Sequence, residues 1–287
     1  MTTLVGAPIS WGVCEVPGWG RQLEPDRVLG EMAQLGLHST ELGPVGWLPE
    51  DPAPLLDRHG LRLIGGFVPF VLHTNDFEPA RAEADRMAAT LAANGASVMC
   101  AAIVADLGWS PPPSLSDAEW EALATNVQHL EEAVNGHGLA LAVHPHAGTL
   151  IEQAADVERL LEATTTPFCL DTGHLVIGGY DPVLFARRHG DRVAHVHLKD
   201  VDQAVARRFN AQELTLMEAV QAGLFRPLGD GDAAIAEVLR ALEDGGYERA
   251  LVLEQDTAIT GQEPPAGGGP VRDVRRSIEF LAAAAGA

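Results

Sequence analysis

Eight times in 287 residues a short apolar run of strand length is followed by a stretch of helix length. That alternation leaves few folds open. Parallel strands need a crossover between them, usually a helix, so a repeated strand-helix rhythm builds a parallel sheet covered by helices. Strands are read at 4–11, 38–43, 61–68, 97–104, 139–144, 168–170, 193–198 and 251–254. Helices are read at 24–35, 52–59, 80–94, from Ser116 onward, and at 152–163, 182–188, 233–242 and 271–285. In the first, Val28, Leu29, Met32 and Leu35 recur at helical spacing before the stop at Gly36; Ser116 with Glu119 makes a capping box. The pattern predicts one α/β domain over 1–287, a (β/α)₈ barrel, with a doubly wound open sheet as the alternative. No Gly-rich dinucleotide fingerprint follows the first strand, which counts against the open sheet.

The connection after strand seven is unusually long. It holds an extra helix at 212–222 and the turn Pro227-Leu-Gly-Asp-Gly-Asp232. Connections of that length are usually functional, so 202–230 is read either as a cover over the barrel mouth or as a contact between copies in a homo-oligomer. A formal charge of −21 opposes binding to nucleic acid or to anionic membranes and favours small neutral or metal-anchored ligands. Cys14, Cys100 and Cys169 form no CxxC pair, as expected of a reduced cytoplasmic protein. No signal-like N-terminus or membrane-length apolar run is present in the sequence.

Barrels of this kind place their chemistry at the C-terminal strand ends. The polar residues there are Glu41 on strand two, His144 and His146 on strand five, and Asp171 and His174 on strand six. Strand seven adds His197 and Lys199, and strand eight Glu254 and Asp256. Each has a bland reading: Glu41 as a solvated loop edge, Lys199 as a surface ammonium, His174, Asp200 and Asp256 as caps, His146 and His195 as hydrogen-bonded structural residues. His144, Asp171, His197 and Glu254 are harder to dismiss, because four separate strands would each have to carry a metal-type ligand by accident. A structural ion-pair network is the competing account.

Asp171-Thr-Gly-His174, His195-Val-His-Leu-Lys-Asp200, Pro227-Leu-Gly-Asp-Gly231 and Val252-Leu-Glu254 resemble the xylose-isomerase-like TIM-barrel superfamily of sugar isomerases, epimerases and dehydratases. Within it the chain is most similar to the inosose dehydratases, which remove water from 2-keto-myo-inositol. Gly6-Ala-Pro-Ile-Ser-Trp11, Ser39-Thr-Glu-Leu-Gly-Pro44 and the segment from Leu216 to Phe225 extend that likeness over nearly the whole chain. The resemblance carries metal ligation onto Asp171, His197 and Glu254. Strand five has His144 where the tagatose-epimerase branch has a Glu, which counts against two-base epimerisation, and strand four has no carboxylate before Asp106.

The expected activity is a divalent-metal-dependent lyase that dehydrates a keto-polyol through an enediolate. The alternatives are a metal-dependent sugar epimerase or isomerase and a non-catalytic polyol-binding barrel. Mn²⁺ or Co²⁺, with Mg²⁺ or Zn²⁺ as alternatives, would sit on His144, Asp171, His197 and Glu254. Glu254 or Glu41 would act as base, His174 or Lys199 as acid, and Trp11, His146 and Arg226 would touch the substrate.

Overall fold

The computed structural model describes residues 3–14, 16 and 18–285. Its ten strands are β1 (Leu4–Gly6), β2 (Ser39–Glu41), β3 (Arg62–Phe70), β4 (Val98–Ile103), β5 (Ala140–Val143), β6 (Phe168–Asp171), β7 (Val193–Leu198), β8 (Asp200–Val201), β9 (Phe225–Arg226) and β10 (Leu251–Leu253). Eight of them pair in parallel and close on themselves in the order β1-β10-β7-β6-β5-β4-β3-β2. Closure is made by β1 against β10, with Leu4, Val5 and Gly6 opposite Leu251, Val252 and Leu253. This is the (β/α)₈ barrel the alternation predicts.

The two-residue period of a strand decides what each face carries. On the outer face Met99, Ala101, Ile103, Leu141, Val143, Leu170, Val196 and Leu198 join one large apolar core beneath the helices. On the inner face Cys100, Ala142 and Cys169 form a fully buried layer of small side chains. Their small volume leaves space in the barrel for the imidazoles of His144, His195 and His197, all buried.

Several boundaries differ from the sequence reading. The first strand stops at Gly6, and Pro8–Trp11 coils into a single 3₁₀ turn, because Pro8 has no N–H to give a ladder. A short helix, Thr172–Ile177, starts directly after β6, nucleated by Asp171, whose carboxylate accepts the His174 N–H at 2.8 Å. The extra segment after β7 contains two helices. Gln203–Asn210 is capped by Asp202 and was not anticipated, while Leu216–Gln221 begins at the Thr215–Glu218 capping box, four residues later than expected. An antiparallel ribbon of β8 and β9 ties the base of this excursion. Among the described residues no helix is long and apolar enough to cross a membrane.

Candidate active site

The four residues singled out as ligands meet at the mouth. Asp171 ends β6 directly opposite His197 in β7. Glu254 follows β10, where its N–H bonds Leu198 O, and His144 follows β5. Asp171 Oδ2 lies 3.2 Å from His144 Nε2 and 3.7 Å from His197 Nδ1, and Glu254 Oε2 abuts His197 Nδ1. Yet His197 Nδ1 and Glu254 Oε2 are both buried without a hydrogen bond. Against the pull of burial, the surrounding anionic groups hold the His197 imidazole protonated well above its usual range, and its Nδ1 lies with Asp171 Oδ2 and Glu254 Oε2 close enough to hold one cation in place of that proton. Asp171, Glu254 and Asp256 crowd around one ammonium, Lys199, and charge taken out of water is costly unless it is balanced. The mixed carboxylate and imidazole set fits Mn²⁺, Co²⁺, Zn²⁺ or Mg²⁺.

Lys199 has no exposed surface, which removes the surface-ammonium reading. Its Nζ lies 2.8 Å from Asp256 Oδ1, 3.4 Å from Glu254 Oε1, 3.6 Å from Asp171 Oδ2 and 3.0 Å from His174 Nε2. Burial opposes its charge, but Asp171, Asp256 and Glu254 outweigh burial and hold it protonated far above neutral pH. In return, the Glu254 carboxyl, which burial would raise, is pushed down to about 2 by His197 and Lys199. Asp256 goes the other way: burial and the adjacent Glu254 lift it to about 6 against the pull of Lys199. Gly173 makes room for this lysine, since a Cβ there would come within 2.8 Å of Lys199 Cγ.

Glu41 is also buried rather than solvated. Its Oε1 lies 2.9 Å from His195 Nε2 and 3.2 Å from His197 Nε2. Those partners tie it to the His197 imidazole, and it also lines the cavity at this mouth. His195 is the corresponding structural partner, and the repeated His-Val-His of β7 was its only sequence signal.

A cavity of about 350 Å³ opens beside the proposed ligands, lined by Glu41, His144, His146, Glu254 and Asp256 and by apolar side chains that include Phe67 and Trp109, which pack against His146. Burial and the neighbouring His144 and Lys199 lower His146 to about 3, so it faces the cavity as a neutral imidazole. Other expectations change. Trp11 does not line the cavity: it is wholly buried and donates its indole N–H to Glu31 at 2.9 Å, because the chain turns inward after Gly6. Arg226 pairs with Asp202 at 2.9 Å and lines a second cleft of about 500 Å³, which shares Asp256 with the first. His174 and Lys199 lie behind the wall of the main cavity, out of a substrate's direct reach. Asp256, read from sequence only as a strand-end polar group or a cap, reaches both Lys199 and the cavity.

Residues 30–284 match the xylose isomerase-like TIM barrel family. An inosose dehydratase of Geobacillus kaustophilus is 32% identical over 88% of this chain and 87% of its own length. The rhizopine catabolism protein MocC of Rhizobium meliloti is 34% identical over 87% of this chain and 80% of its own. Among solved structures, an L-ribulose 3-epimerase superposes with a TM-score of 0.73 at 15% identity, covering 99% of this chain and 94% of that one. The closed parallel barrel, the cluster of donors at its C-terminal mouth and this match over most of the length agree, and the chain belongs to the xylose isomerase-like TIM-barrel family.

Proposed function

We propose that this protein is a divalent-metal-dependent lyase that dehydrates a keto-polyol of the keto-inositol class. The observation that carries the reading is the convergence of Asp171, His197 and Glu254, whose ligand atoms lie within 4.8 Å of one another, with His144 on Asp171 at 3.2 Å, beside a cavity that His144 and Glu254 line. The similarity to inosose dehydratases supports the choice of reaction and substrate class. Bound there, the cation supplies Lewis-acid polarisation of a carbonyl and its neighbouring hydroxyl.

The chain's own residues handle the protons. Glu254 is ionised and faces the cavity, placed to take the proton from the carbon beside the carbonyl. Asp256, held near 6, returns a proton to the departing hydroxyl, so a C–H and a C–O bond break, a C=C bond forms and water leaves. Lys199 stays charged between these two carboxylates and fixes both. His146 offers a neutral imidazole to substrate hydroxyls. Epimerisation needs opposed bases on two faces of one carbon, and the imidazole of His144 in place of a strand-five carboxylate disfavours it.

The test is incubation of metal-reconstituted protein with 2-keto-myo-inositol and with ketohexoses in D₂O. The expected result is a product lighter by one water, lost on chelation and restored by Mn²⁺ or Co²⁺. An epimerised ketose carrying solvent deuterium would establish the isomerase alternative. Turnover by rigorously metal-free protein would refute the metal, and absence of any exchange with metal present would leave a binding barrel.

A further inference from the structure

We propose that Glu41 is a positioning residue for the metal centre: its carboxylate holds His197 with the proton on Nε2, so that Nδ1 presents its lone pair to the space shared with Asp171 and Glu254. The inference rests on the metal-dependent reading above and goes beyond it, because it assigns a carboxylate that ligates nothing.

An imidazole ligates a metal through one of its two nitrogens. A neutral ring has one N–H and one bare nitrogen, and the partner of the first decides which nitrogen is free to ligate. His197 Nε2 stands 3.2 Å from Glu41 Oε1, an oxygen that accepts, so the proton belongs on Nε2. Nδ1 then faces Asp171 Oδ2 at 3.7 Å and touches Glu254 Oε2, and these three atoms lie within 4.8 Å of one another, close enough to hold one cation. A cation there takes the Nδ1 lone pair, and the proton left on the ring is the one that Glu41 accepts.

Glu41 is itself held. The same Oε1 lies 2.9 Å from His195 Nε2, two residues back on the same face of β7, and the two imidazoles meet edge to face with centroids 5.0 Å apart. β2 and β7 are not neighbours around the barrel, so the carboxylate crosses the interior to reach its partners. Glu41, buried on a strand that supplies no ligand, thus sets both the rotation and the tautomer of a ligand on the far side. Carboxylates behind metal-bound imidazoles generally act in this way, raising ligand basicity, and their loss weakens metal binding by about 10–100-fold.

The experiment compares wild-type protein, Glu41→Gln and Glu41→Ala, each stripped with chelator and titrated with Zn²⁺ against a chromophoric competitor. Circular dichroism checks folding, and ¹⁵N spectra of histidine-labelled wild type locate the imidazole protons. Expected are one Zn²⁺ per chain, metal on Nδ1 and proton on Nε2 of His197, affinity weakened about 10–100-fold in Glu41→Ala, and a smaller loss in Glu41→Gln, which keeps an accepting oxygen. Unchanged affinity in both folded variants would overturn the proposal while leaving the proposed activity standing. Metal on His197 Nε2 would also overturn it, a result read on wild type even if the variants fail to fold. Two Zn²⁺ per chain would place a second ion among Glu41, Cys100, His195 and His197, whose ligand atoms lie within 4.8 Å of one another, and would make Glu41 a ligand instead. No Zn²⁺ on wild type would bring down the metal-dependent reading and this inference together.

Discussion

A lysine with no exposed surface stays charged only if carboxylates surround it, and Lys199 has Asp171, Glu254 and Asp256 within 3.6 Å. Replacing it with Met removes the one cation while leaving three buried carboxylates. Loss of one partner from a buried ion pair costs about 3–5 kcal/mol, so denaturant unfolding of metal-free Lys199→Met should show a loss of that order. Added Zn²⁺ should recover part of it. Gly173→Ala approaches the same lysine through packing: the new methyl would press on the stem at Cγ, and turnover should fall although no charge has changed. Asp171→Ala removes the oxygen that stands between His144 and His197, so bound metal by elemental analysis should drop well below one per chain while the barrel's circular dichroism persists. At this scale the four residues proposed to hold the metal stand out in the sequence, because charged and imidazole groups directly after apolar strands are conspicuous. Trp11 falls outside the cavity for a geometric reason: where a side chain points beyond a strand depends on where the strand ends, and β1 ends early at Gly6. Arg226 sits in β9 and is taken up by Asp202, a partner 24 residues away that the sequence does not reveal. Asp256 was undervalued because a carboxylate two residues past a strand looks like an ordinary cap until Lys199 is seen beside it.

Among the elements, the excursion after β7 shows how one residue organises many. Asp200, in β8, accepts backbone N–H groups from Val201, Gly229, Gly231 and Ala233 at 2.9, 2.8, 3.1 and 2.9 Å. The Gly-Asp-Gly turn wraps this carboxylate, and a Cβ on Gly231 would run into Asp200 Oδ1. Asp200→Ala would leave several buried donors without a partner, at about 1–3 kcal/mol for each one that water cannot reach. The expected outcome is a loss of at least about 3 kcal/mol in denaturant unfolding, with a milder loss in Asp200→Asn, which keeps one accepting oxygen; equal stability of all three proteins would refute the role. The turn could be read from the sequence, but the helix Gln203–Asn210 could not. It is 8 residues long, too short for a helical apolar period to stand out, and the Asp202 cap is what signals its start.

For the molecule as a whole, binding of a cation to the folded barrel alone must stabilise it. At a metal concentration 100 times Kd the gain is about 2.7 kcal/mol, roughly a 4–5 °C rise in Tm for a chain of this size. Calorimetry with and without Zn²⁺ should show that rise in wild type and lose it in His197→Ala. The barrel itself was readable because its signal, a strand-helix unit repeated eight times, accumulates over the whole length. Glu41 shows the limit of such reading: its partners lie 154 and 156 residues away, and only closure of the ring reveals which carboxylate faces which imidazole.

That closure has a consequence for synthesis. The proposed donors lie on or directly after β5, β6, β7 and β10, and the strand that closes β10 onto the other side of the ring is β1, which is made before them. A nascent chain that has not yet released β10 lacks Glu254 and the seam, and so presents an incomplete set of donors. Metal capture becomes a late event in the life of each new molecule, and a loaded centre reports that the ring has been joined.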